Sequence, residues 1–410
     1  MNTRTPLDAI AVEELPAFPM QRKCPFSPPP EYARLREEEP VAPVRLWDGR
    51  KAWLISRYDD VRKVLSDRRI SNNILHPGFP LVYEARAAVF RQYDEPPYFH
   101  FMDPPKHTEH RRMVTRDFIV SRIRDMEPQV QGVVDELIDA MLASEARPVD
   151  LVSAISLPLP TRIISGMLGV PYEDTKRLQL YTDGSSAFSA DPEEAKASSA
   201  RLAEYIKELI DRKEKAPGDD IVSRLILEQV KPGHISGDQL IRLIRFLLIV
   251  GHETTASMIS LGMMALLQND TQRMQLQNDP ALAPQAVEEL LRYLSIVHLT
   301  TCRVALEDIE ISGTKIRAGE GVVALVSSAN RDSTQFEAPD EINIHREGRN
   351  HLAFGFGVHQ CLGQSLARLE MRLAFTSLLC RIPTLRMAAP IESLAFKDYI
   401  NGVQSMPVTW

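Results

Sequence analysis

The ten residues from Phe354 to Gly363 read Phe-Gly-Phe-Gly-Val-His-Gln-Cys-Leu-Gly, a glycine-hinged loop that delivers one cysteine, Cys361, to the start of a helix. A thiolate needs help to stay ionised. A helix N-terminus gives that help through its free backbone N–H groups and the positive end of its dipole. Gly355, Gly357 and Gly363 lack a Cβ and can take positive φ, which lets the backbone crowd around a sulfur or a flat macrocycle. A cysteine alone is more often a small buried hydrophobe, but here it sits among five other specified positions. Zinc fits poorly, because no second Cys or His stands at Cys-x2-Cys or His-x3-His spacing from Cys361. A single axial thiolate suits haem iron instead.

A second group of reactive side chains interrupts an apolar stretch. From Arg245 to Met264 the chain is apolar nearly all round, as a helix through the middle of a large protein should be, yet His252, Glu253, Thr254 and Thr255 fall inside it. Burying unpaired carboxylate and hydroxyl groups costs several kcal/mol, about the size of a protein's whole stability margin. A proton-handling role would explain them. The structural alternative has the threonines bonding back to carbonyls one turn earlier, Gly251 as a packing notch and Glu253 reaching solvent. Two further sets share helical faces: Glu289 with Arg292, three apart, and His107 with Arg111, four apart.

Helices must carry most of these groups. Leu362, Leu366, Leu369 and Leu373 recur at helical spacing after the cysteine loop. Pro104 and Pro105 open a helix that carries His107 and Arg111, at positions where a missing N–H does no harm. Strand-like patterns are confined to residues 41–57, with a hairpin turn at Asp48-Gly49, and 302–326, with turns at Gly313 and Ala318-Gly319. Loop-like stretches run over 72–97 and 183–191. No long polar linker divides the 410 residues, so the expectation is one mostly helical domain, residues 1–410, with small β-sheets at one side. The net charge of −7 argues against nucleic acid as a general partner. Four scattered cysteines, Cys24, Cys302, Cys361 and Cys380, fit a reducing cytoplasm. Residues 1–32 hold no apolar run of signal-peptide or membrane-anchor length, so no membrane association is expected.

The loop from Phe354 to Gly363 resembles the haem-binding loop of the cytochrome P450 superfamily, and recognisable segments extend from about Cys24 to Asn401. That resemblance implies the haem-thiolate fold and haem b as cofactor, with Cys361 as axial iron ligand and Phe354, Gly355 and Gly363 cradling the macrocycle. His107, Arg111, Arg303 and His359 match the family's clamp on the haem propionates. Gly251-His252-Glu253-Thr254-Thr255 matches its oxygen-activation motif: Gly251 lets the helix open beside O2, Thr254 hydrogen-bonds the bound dioxygen, and Glu253 relays protons. Val250 departs from the pattern, which has Ala or Gly there, and narrows the space above the iron. Glu289, Arg292 and Arg346 match the structural Glu-Arg-Arg cluster.

Two branches of the superfamily are similar to this chain. Trp47-Asp48-Gly49 and the two motifs resemble actinomycete monooxygenases, while Glu228 to Gly233 and Ser328 to Asp332 also resemble the fungal nitric oxide reductases. The second branch takes hydride directly from NADH and lacks the acid before the threonine. Here Glu253 is present, and Ser71 to Leu75 is neutral where a dinucleotide phosphate would need Lys or Arg. The expected reaction is therefore insertion of one atom of O2 into an apolar small molecule. Electrons would come from a ferredoxin or flavodoxin-type donor with its NAD(P)H reductase, docking where Arg112, Arg116, Arg368 and Arg372 surround the cysteine face. An NADH-dependent nitric oxide reductase and a non-catalytic haem gas sensor are the alternatives. Leu75, Phe79, Phe90, Phe188, Val250, Leu299 and Ile400 are the expected substrate contacts.

Overall fold

The central element is a 31-residue helix, Gly237–Leu267, about 46 Å long at 1.5 Å per residue. Ser236 starts it with a capping box: its hydroxyl accepts from the Gln239 N–H at 3.1 Å, and the Gln239 side chain accepts from the Ser236 N–H at 2.9 Å. Its apolar surface is covered by helices Pro158–Met167, Pro192–Lys215, Ala283–Leu294 and Gln364–Arg381. Among the described residues it alone is long and apolar enough to cross a membrane, but 72% of its most apolar stretch is buried inside the fold. It is a core helix. The computed structural model describes residue 7 and residues 11–410, except 85–86, 88–89, 91–92, 185–191, 298–300, 348–349 and 398.

Strands form at both places the alternation predicts. A five-stranded sheet has the order Val41–Arg45, Lys51–Ile55, Gly321–Ala324, Cys302–Ala305, Ile70–Ser71. Its second and third strands pair in parallel, Ala52 opposite Gly321, which joins the N-terminal hairpin to a segment far along the chain. Period-two side-chain alternation divides two cores across this sheet. Ala52 and Leu54 face the large cluster around the central helix, whereas Trp53 and Ile55 face a smaller cluster with Tyr58, Val61 and Leu65 of helix Tyr58–Ser66. The antiparallel strand Cys302–Ala305 brings Arg303 beside Asn72, whose Oδ1 accepts from Arg303 Nη1 at 2.8 Å.

Helix boundaries differ modestly from expectation. The predicted loop over 183–191 begins two residues inside helix Thr175–Gly184. Leu362 precedes the helix that starts at Gln364, and the buried stripe is Leu366, Leu369 and Leu373.

Candidate active site

The cysteine loop and the central helix face each other across a cavity of about 980 Å³, at the upper end of the usual range for ligand sites. Its lower wall is the loop. Gly355 and Gly357 adopt φ of +70° and +74°, and a Cβ on Gly357 would come within 2.6 Å of the Leu65 carbonyl oxygen. Glycine is required there. Gly363 corrects the expectation of positive φ: at φ −83° it is ordinary backbone, and it serves instead as the helix N-cap. The Cys361 N–H donates to Phe354 O at 2.8 Å, closing the loop.

Burial pushes the Cys361 thiol up, and the Gly363 N–H, the Arg111 and Arg368 charges and the Gln364 N–H oppose it. The helix start thus acts on the sulfur as its position in the sequence suggested, without outweighing desolvation. Arg368 stands over the Phe354 ring at 4.5 Å and is fixed by Glu288, whose carboxylate accepts from Arg368 Nε at 2.6 Å and from His351 Nε2 at 3.0 Å.

The upper wall carries Val250, Gly251, Glu253, Thr254 and Thr255, all lining the cavity. Thr254 Oγ1 donates to Val250 O at 2.9 Å, one turn back. A Cβ on Gly251 would meet Ile164 Cγ1 at 3.1 Å, so this glycine is a packing notch as well as a cavity residue. His252 turns away: it is buried, with Nδ1 2.8 Å from Leu248 O. Glu253 Oε1 pairs with Lys397 Nζ at 3.1 Å, an interaction contributed by the short C-terminal hairpin Phe396–Lys397 with Gly402–Val403. Nothing in the sequence flagged Lys397. Val250 is 41% exposed, and that surface is turned to the cavity.

At one end the structure gathers all four residues of the sequence-derived clamp. His107 and His359 have ring centroids 4.2 Å apart, and Arg111 and Arg303 border the same cavity. Among the described residues, both ring nitrogens of buried His107, and Nδ1 of His359, have no hydrogen-bond partner. Burial, then the Arg111 charge, lowers the His107 imidazole to about 4; burial, then Arg303, lowers His359 to about 2. Two neutral imidazoles thus stand with two guanidiniums, and among the described residues the carboxylate acting on them is Asp103, which works on His107 and Arg303. His100, which the sequence reading passed over, adds a third ring 6.2 Å from His359.

Behind the loop, Glu289 accepts from Arg292 Nε and Nη2, both at 2.8 Å, from Arg346 Nε at 3.0 Å and from the Asn343 N–H at 2.9 Å. Arg292 also donates to the carbonyls of Asn330, Pro339 and Glu341. All three members of the anticipated cluster meet.

Of the expected substrate contacts, Phe90, Val250 and Ile400 line the cavity. Leu75 and Phe79 do not. Both pack into the large core instead, because apolar character places a side chain inside without saying which interior surface it covers. Phe188 and Leu299 lie outside the described residues. Further aromatic rings supply much of the wall: Phe246 of the central helix, which the sequence did not single out, packs 5.1 Å from Tyr98 and 5.1 Å from Phe99, and the expected Phe90 lies 5.1 Å from Phe101. The basic residues of the cysteine face are largely committed elsewhere, Arg116 to Glu228, Arg368 to Glu288 and Arg372 to Glu127.

A thiol-bearing loop on one wall of the cavity, with two guanidiniums and two imidazoles whose buried nitrogens lack partners among the described residues at one end, fits a haem and its two carboxylates. The family comparison agrees: residues 32–382 match Cytochrome P450, and the chain belongs to that family. It is a haem-dependent monooxygenase, with the iron bound by a cysteine thiolate. Among individual relatives, the chain is 45% identical over 407 residues to a vitamin D3 dihydroxylase of Streptomyces griseolus, covering 97% of each protein. The crystal structure of GfsF superposes with a TM-score of 0.91 at 44% identity, covering 96% of this chain and all of that one. Cytochrome P450 55A3 of the fungus Fusarium lichenicola is 38% identical over 403 residues, covering 97% of this chain and 98% of that protein.

Proposed function

We propose that Cys361 supplies the axial thiolate and that the cavity above it holds an apolar substrate against the Glu253-Thr254 segment of the central helix. The observation that carries this reading is the opposition of those two walls across one cavity. The haem, when bound, supplies activation of O2 and insertion of one oxygen atom into a C–H bond or alkene, with the other leaving as water. This chain's residues do the rest. His107, Arg111, Arg303 and His359 hold the propionate carboxylates through charge-assisted and imidazole hydrogen bonds. Gly355 and Gly357 hold the loop in left-handed backbone that other residues rarely adopt, and at Gly357 a Cβ would also strike the Leu65 carbonyl. Phe354 shields the sulfur from water, and the Gly363 and Gln364 N–H groups hold its negative charge.

On the opposite wall, the Thr254 hydroxyl, which donates to Val250 O, would turn to hydrogen-bond dioxygen, and Glu253 would deliver protons from the Lys397 side. Glu289, Arg292 and Arg346 lock the segment behind the loop. Electrons come from a ferredoxin or flavodoxin-type protein that docks on the cysteine face, where Arg112 is exposed and Ile119, Val120 and Val358 add an apolar rim. The 1–410 chain works as one domain, since the large core runs from Phe18 to Val408. The working compartment is the cytoplasm, in keeping with four free cysteines.

Anaerobic addition of NADH and nitric oxide to the pure haem protein, without any reductase, tests the reading. No NADH consumption is expected, alongside a normal ferrous–CO thiolate spectrum. Rapid consumption would move the protein to nitric oxide reduction and remove the proton-relay role of Glu253.

A further inference from the structure

The ionisable side chains bordering the cavity are paired, neutralised by burial, solvated at the rim or placed at the imidazole end, with one exception. Arg111 and Arg303 stand at the imidazole end, where the two haem carboxylates fit. Glu253 has Lys397. Glu370 is fully enclosed, and burial pushes its carboxyl well above the usual range, so it adds no charge. Glu84 and Lys196 are exposed at the rim, where water solvates them.

Arg245 remains. It lies on the central helix, borders the cavity, and has its Nε closed off from solvent with no hydrogen-bond partner. No ion pair or hydrogen bond among the described residues involves its guanidinium. The neighbouring arginine on the same helix shows the ordinary solution: Arg242 Nη2 bonds Glu95 Oε1 at 3.0 Å. The Arg245 Nε is thus left unsatisfied, and its guanidinium borders an aromatic-walled cavity where no acid among the described residues meets it.

We infer that Arg245 is a substrate-binding residue and that the substrate is an apolar molecule carrying a carboxylate, which Arg245 grips through its planar fork. This rests on the monooxygenase reading and narrows its substrate class. The fork matches a carboxylate with two parallel N–H bonds, a recognition that a point-charge lysine does not reproduce. Arg245, Ile249 and Glu253 follow at four-residue intervals on one helical face. Eight residues of rise separate Arg245 from Glu253, about 12 Å. The carboxylate is therefore held well away from the Glu253-Thr254 end, and the apolar body of the substrate spans the space between them along Phe246 and Ile249.

The test uses the haem-loaded enzyme and two matched series, imidazolyl-alkanoic acids and the corresponding imidazolyl-alkanols, at several chain lengths. The imidazole anchors each probe on the iron and reports binding through the haem absorption. At one chain length the acid should bind at least about ten-fold more tightly than its alcohol, the scale of one charge-assisted pair. Arg245→Gln should erase that preference while leaving alcohol affinity unchanged, and Arg245→Lys should retain only part of it. Acids and alcohols binding alike at every length would overturn the inference, as would a preference that survives Arg245→Gln. Failure of the alcohols themselves to shift the haem absorption would instead refute the haem-site reading, and this inference with it.

Discussion

Glu289→Gln removes one charge from a cluster that water does not reach: the side chains of Glu289 and Arg292 are 1% and 2% exposed. An exposed pair at this three-residue spacing would contribute under ~1 kcal/mol. Here the substitution leaves the Arg292 cation buried with carbonyl partners only, and breaking one side of such a pair costs about 3–5 kcal/mol. With an unfolding entropy of about 2.1 cal/mol/K per residue, a chain of 410 residues should lose about 3–6 °C in Tm. The assay is thermal unfolding of the haem-loaded protein by circular dichroism at one fixed scan rate. The double substitution Glu289→Met with Arg292→Met should cost less than Glu289→Gln alone, because no uncompensated charge stays behind; Arg346, the more exposed member at 14%, can turn to solvent. A Tm drop below about 1 °C for Glu289→Gln would refute the reasoning.

Four other substitutions probe different parts of the molecule. Glu253→Gln should lower kcat on the order of 10²-fold with the thiolate spectrum intact. Lys397→Met, which keeps the carboxylate and removes only a partly exposed partner, should cost less than about ten-fold and shift Tm by no more than about 1 °C; equal losses in the two variants would contradict a proton-relay role for Glu253. Burial alone would raise the Glu288 carboxyl, but the hydrogen bonds from His351 and Arg368 overcome it and hold the group at about 2. Between its unfolded value near 4.5 and about 2, the unfolded chain therefore binds the extra proton, and stability falls as pH drops through that window. Acid titration of Glu288→Gln should show a shallower loss there than wild type, and identical slopes would count against it. Gly357→Ala forces a Cβ toward the Leu65 carbonyl in a left-handed conformation, so haem occupancy measured per protein should fall; full occupancy would show that the loop relaxes freely.

The parts of the site that were legible in the sequence are those written in local spacing. The cysteine loop and the polar interruption of the central helix are contiguous, and the clamp residues His107 and Arg111 share one helical turn. Family resemblance then joined these to Arg303, His359 and Arg346, which no local pattern could connect. Lys397 was invisible because its partner lies 144 residues away and its own hairpin is only two residues on each side. Arg245 falls inside an apolar helix in the sequence, and only the folded chain shows that no acid among the described residues pairs with it. Leu75 and Phe79 were misplaced because burial in the core and burial against a ligand draw on the same residue types. The cysteine-face arginines show the same limit for charge, since sequence cannot tell a free guanidinium from one already held by Glu127, Glu228 or Glu288.

The central claim is that Cys361 binds the iron, and the ferrous–CO absorption spectrum of Cys361→Ser tests it most directly. The variant, even where it retains haem through His107, Arg111, Arg303 and His359, should lose the red-shifted thiolate band that the wild type shows. A Cys361→Ser protein that kept that band would place the thiolate on another cysteine and contradict the account at its base.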